Sequence, residues 1–120
     1  MTDDKNSKLL IYLIGPLSNG GTAHEATIYR NTHSALKTGN ELMGCGVFVF
    51  IPHLSTYFDG RYPKNYEYWM EFDLRILSHC DAAFRMPGKS AGGDREEAFC
   101  MERGIPVFRD IEKLKEWAKP

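Results

Sequence analysis

Apolar positions follow two different periods along the chain, and the switches between them mark out the elements. Residues 8–14 contain Leu-Leu-Ile-Tyr-Leu-Ile, a nearly unbroken apolar run that predicts a strand covered on both faces. It runs into a turn-rich loop at 15–21 that holds Gly15, Pro16, Leu17, Ser18, Asn19 and Gly20. Over 24–43, Ile28, Thr32, Ala35, Leu36, Gly39, Leu42 and Met43 recur at three and four residues, which predicts a helix with one buried face. Gly44 and Gly46 supply its stop. Residues 47–51 read as a second strand closed by Pro52, and 53–64 as a long loop carrying His53, Tyr57, Phe58 and Tyr62. A helix over 65–79 bears an apolar stripe of Tyr66, Trp69, Met70, Ile76 and Leu77, with Asp73 in its middle. Strands follow at 82–86 and 105–108, joined by a Gly-rich loop and a helix. Asp110 caps a last amphipathic helix over 111–118.

Strands alternating with helices predict an α/β fold: a doubly wound, flavodoxin- or Rossmann-like parallel sheet of four or five strands flanked by helices. Its ligand crevice lies at the carboxyl ends of the strands. The 120 residues suit one domain, with polar residues 1–7 frayed. A composition of 42% hydrophobic and 26% charged residues argues against disorder, and a net charge of -1 argues against a nucleic-acid polymer as partner. A small molecule is the better expectation, since a local donor cluster can hold one phosphate on a neutral protein. Cys45, Cys80 and Cys100 lack metal-ligand or Cys-x-x-Cys spacing, so free thiols in a reducing compartment are expected and no metal is required. With no signal-peptide pattern and no run of membrane-spanning length, the expectation is a cytoplasmic protein with no membrane partner.

Candidate chemistry gathers where loops meet that crevice. The segment from Pro87 through Ser90, Gly92 and Gly93 leads into a helix whose exposed N–H groups and dipole favour an anion, with Glu96 and Glu97 just inside. The structural alternative is a capping box of Asp94 and Glu97. Asp73 on a buried face costs free energy unless it is hydrogen-bonded, paired or beside a polar site, so it is either a structural bridge or a site residue. Tyr57, Phe58 and Tyr62 can hold a planar ring or simply pack. His53, alone after a strand, is either structural or a contact for a ligand.

Several of these pieces occur in a familiar order: Ile11-Tyr12-Leu13-Ile14-Gly15-Pro16-Leu17-Ser18, Asp73 eight residues before Asp81, Ser90-x-Gly92-x-x-x-Glu96, and Gly104-Ile105-Pro106-Val107. Over most of its length the chain resembles the nucleoside 2-deoxyribosyltransferase superfamily. The resemblance implies that Glu96 attacks the anomeric carbon of a sugar to form a glycosyl-enzyme, and that Asp73 handles the proton of the departing base. Those residue types suit the chemistry, because one carboxylate captures an oxocarbenium-like sugar while a second acid improves the leaving group. Asp73 can donate only if burial raises its pKa.

Ser90 is similar to the serine that meets phosphate in 2'-deoxynucleoside 5'-monophosphate N-glycosidases; members acting on free nucleosides tend to carry an acid there. The chain departs from those enzymes in having Leu17-Ser18-Asn19 where an arginine often stands. The expectation is therefore an N-glycosidase that hydrolyses the base–sugar bond of a nucleoside 5'-monophosphate without a cofactor. Glu96 and Asp73 are the catalytic pair, and Tyr12, Gly15, Ser18, Asn19, Gly20, His53, Tyr57, Phe58, Ser90 and Gly92 the binding residues. The alternatives are a deoxyribosyltransferase and a nucleotide-binding or sensing module without turnover. The resemblance also implies a homodimer or larger homo-oligomer.

Overall fold

A computed structural model describes residues 8–18 and 22–120. Strands β1 (Leu10–Ile14), β2 (Phe48–Phe50), β3 (Ala82–Arg85) and β4 (Val107–Phe108) form one all-parallel sheet in the order β2-β1-β3-β4. Helices α1 (Glu25–Met43), α2 (Ser55–Arg61), α3 (Tyr66–Leu77), α4 (Ala91–Arg103) and α5 (Ile111–Ala118) flank it, giving a flavodoxin-like α/β fold. The chain leaves β1 toward β2 on one side and returns to β3 on the other, so the order reverses beside β1. A crevice opens at such a reversal, outside the carboxyl ends of the strands.

The unbroken apolar run of β1 follows from its central place. Ile11 and Leu13 point into a core with Ala35 and Leu42 of α1 and Leu114 of α5, while Tyr12 and Ile14 point into another with Leu77 of α3 and Cys100 of α4. Alternation persists, but both faces are apolar because helices cover both. Each such side chain taken fully from water contributes roughly 1.5–3 kcal/mol, so β1 anchors the two layers to each other.

Two expectations change. The segment 53–64 is not a loop: a 3₁₀ turn, Pro52–Leu54, passes directly into α2. Proline begins that turn with φ already suited to it and no N–H left unpaired. Phe58 and Tyr62, four residues apart, then bring their rings to 5.6 Å, and Asp59 accepts from the Trp69 indole N–H at 2.8 Å, which seats α2 against α3. The second change is at the sheet edges, where β2 has three residues and β4 only two. Among the described residues no helix is long and apolar enough to cross a membrane.

Candidate active site

Small residues set the position of α4. Ser90, in extended backbone, is its N-cap: the Oγ accepts from the Gly93 N–H at 2.9 Å, and the Ser90 carbonyl accepts from the Asp94 N–H. A methyl group on Gly92 would lie 2.9 Å from the Tyr66 hydroxyl of α3, and one on Gly93 would lie 3.1 Å from both Ile14 and Arg85. Glycine at both positions lets the first turn approach α3 and β1 closely. Glu96, one turn further on, is thereby carried to the floor of a cleft, where it is buried.

Beneath Glu96 stands Tyr12 of β1, fully buried, whose hydroxyl donates to the Glu96 carboxylate across 84 residues of chain. Asp73 faces the same cleft from α3. Burial pushes Glu96 up to about 7, against the Tyr12 hydrogen bond and the more distant Arg85 and Arg95, which favour its charge. Asp73 is pushed higher, up to about 8, by burial and then by the charge of Glu96. Asp73 Oδ1 is buried and finds no hydrogen-bond partner among the described residues. At neutral pH the pair divides its labour: Asp73 retains a proton, while Glu96, steadied by the Tyr12 hydroxyl, has access to its charged form.

The cleft brings together Gly15, Ser18, His53, Asp73, Ser90, Gly92 and Glu96, with Tyr12 as the support under Glu96. Its enclosed volume is about 60 Å³. Two openings adjoin it. One is an apolar groove of about 490 Å³ lined by Phe50, Leu54, Phe58, Trp69 and Phe72, which meets the cleft at Pro52 and Asp73. The other, of about 440 Å³, lies by the start of α1, shares Leu17 and Ser90 with the cleft, and is lined also by His24, Asn31 and Lys89. Asn19 and Gly20 lie outside the described residues.

Phe58 therefore lines the groove rather than the cleft, and Tyr57 lines neither: α2 turns it outward, 70% exposed. The Asp94–Glu97 capping box does not form. Both acids instead ion-pair with the buried Arg85, at 3.0 and 3.2 Å, and Glu97 also with Arg109 at 2.6 Å. Tyr66 and Met70 line the cleft beside Asp73 and were legible only as packing, although their spacing of four and then three residues places all three on one helical face. No sequence signal marked Arg85 as the partner of both acids, since a strand-end arginine has no characteristic pattern.

A scan against protein-family models finds no match to this chain, and a search of curated proteins finds none.

Proposed function

We propose that the protein is a nucleotide N-glycosidase that cleaves the base–sugar bond of a nucleoside 5'-monophosphate. What carries this reading is one juxtaposition: a buried carboxylate held by a tyrosine hydroxyl, in the same cleft as a second carboxyl that keeps its proton at neutral pH. Glu96 attacks the anomeric carbon as the bond to the base breaks, and Asp73 gives its proton to the departing base. A glycosyl ester on Glu96 results. The Asp73 carboxylate then takes a proton from water, the water oxygen bonds to the anomeric carbon, and Glu96 leaves as a carboxylate. Asp73 gives up one proton in the first step and regains one from water in the second, so it ends the cycle as it began.

The surroundings support a nucleotide as the occupant. The apolar groove beside Asp73 suits a base, with Phe58, Trp69 and Phe72 as aromatic walls. Lys89 and Ser90, the N-cap of α4, line the second cavity, whose described lining contains no carboxylate. Lys89 offers a positive charge that Leu17-Ser18-Asn19 does not. The reading carries a homodimer or larger homo-oligomer with it; sedimentation of an active monomer would remove that part.

The test incubates the protein with ribo- and deoxyribonucleoside 5'-monophosphates and the matching free nucleosides, and assays released base by chromatography. Release from monophosphates supports the reading. Release from nucleosides alone removes the phosphate role of Ser90 and Lys89, and a new nucleoside formed only when a second base is added identifies a transferase. Ligand-dependent thermal stabilisation without product points to a sensing module.

A further inference from the structure

His53 lines the cleft and is held by a partner outside it. Its side chain is 1% exposed, on the turn after β2. Nε2 lies 3.0 Å from the carbonyl oxygen of Pro16, in the loop after β1. A carbonyl can only accept, so Nε2 carries the hydrogen and donates it. Burial holds the imidazole below its ordinary pKa, outweighing the carbonyls of Pro16 and Gly15 that favour its charge, so the ring is neutral. Nδ1 is therefore a bare acceptor. It is buried, lacks a hydrogen-bond partner among the described residues, and belongs to a side chain that lines the cleft. An acceptor left in that condition weakens the fold unless something fills it.

The lone pair selects what can fill it. A phosphate oxygen or a base carbonyl is an acceptor and is repelled, so the occupant there must donate. His53 lines the small polar cleft with Glu96 and does not line the apolar groove suited to a base. The donor at that position is then on the sugar.

We infer that His53 is a substrate-binding residue whose Nδ1 accepts a hydrogen bond from a sugar hydroxyl, while its Nε2–H fixes the ring to the loop after β1. This rests on the N-glycosidase reading for the identity of the ligand, and deepens it by naming the group that recognises the sugar. It also assigns His53 a role in choosing between sugars, since removing the hydroxyl leaves the acceptor buried and empty.

The experiment pairs His53 variants with deoxy-sugar substrates. In His53→Gln the amide nitrogen can still donate to Pro16, but nothing occupies the Nδ1 position; His53→Asn keeps an acceptor near Nδ1 and loses the Pro16 anchor. Base release is measured from a ribonucleoside 5'-monophosphate and from its 2'-deoxy and 3'-deoxy analogues. Wild type loses about tenfold in kcat/KM on one of the two analogues, as expected for one neutral hydrogen bond. His53→Gln loses a similar factor on the parent and nothing further on that analogue, and His53→Asn retains the discrimination. Equal discrimination by wild type and His53→Gln on both analogues overturns the inference and leaves the N-glycosidase reading intact.

A readout independent of turnover separates the two claims. In ¹⁵N spectra of histidine-labelled protein, ribose 5-phosphate shifts the His53 Nδ1 resonance as its lone pair is engaged. A shift without base release from any nucleotide supports the sugar contact and refutes the glycosidase, and an unmoved resonance at saturating ribose 5-phosphate refutes the contact.

Discussion

Burial gives Glu96 and Asp73 different proton affinities, and the rate should show it. The reactive form has Glu96 ionised and Asp73 protonated, so base release should follow a bell with an acid limb near 7 and an alkaline limb near 8, which belong to the pair as a unit. Asp73→Asn removes the titrating acid; the expected profile is slower and loses its alkaline limb. Tyr12→Phe removes the donor that favours the Glu96 carboxylate, so the acid limb moves to higher pH and the rate at neutral pH falls about tenfold. An unshifted acid limb in Tyr12→Phe would show that the hydroxyl does not tune Glu96. At this scale the sequence was uneven. Asp73 announced itself as an acid inside an apolar stripe, and the Ser90–Glu96 spacing was visible through resemblance. Tyr12 was named as a binding residue through resemblance, but its hold on Glu96 was not legible, because its hydroxyl matters only once the fold brings it under a residue 84 positions away.

Element by element, the chain was legible where periodicity decides and obscure where contacts do. The four strands and the helices following β1, β3 and β4 were readable because two-faced burial and a 3.6-residue stripe leave strong patterns. α2 was not, since Asp59, Gly60 and Pro63 advertise a turn while the contacts that make a helix, Phe58 with Tyr62 and Asp59 with Trp69, are tertiary or span a single turn. Glycines give the sharpest test of how elements position the site. Gly93→Ala puts a methyl 3.0 Å from Ser90 Oγ and 3.1 Å from Arg85 and Ile14, crowding α4 on three sides. The expected loss is ~1–3 kcal/mol of stability, with a fall in base release because Glu96 moves with its helix. Gly60→Ala in α2 meets nothing within 4 Å, and should be neutral or stabilise by up to ~1 kcal/mol through helix propensity. Denaturant melts of both variants decide it; equal stability of the two would mean that α4 has room to spare.

Across the whole molecule, the site works against stability as pH rises. Asp73 and Glu96 bind protons more tightly folded, at about 8 and about 7, than at their ordinary values of 3.8 and 4.5. Between those ranges the native state holds more protons than the unfolded chain, so these two groups lower stability as pH climbs from about 4 to about 8. Asp73→Asn should raise the melting temperature near the upper end of that window and leave it nearly unchanged near the lower end; an equal shift at both would deny that Asp73 is buried with a raised pKa. The flavodoxin-like frame explains why such a pair is tolerated. It gathers strand ends, the turn after β2 and the start of α4 into one crevice, and the sheet beneath supplies the stability that the crevice gives up. Capture of the sugar by Glu96 would be visible in the intact-protein mass after incubation with a 2-deoxy-2-fluoro nucleoside 5'-monophosphate. The fluorine slows release of a glycosyl ester, so the expected result is a mass gain equal to the fluorosugar phosphate, mapped to the peptide holding Glu96 and absent from Glu96→Gln. Base release with no adduct, persisting in Glu96→Gln, would contradict it.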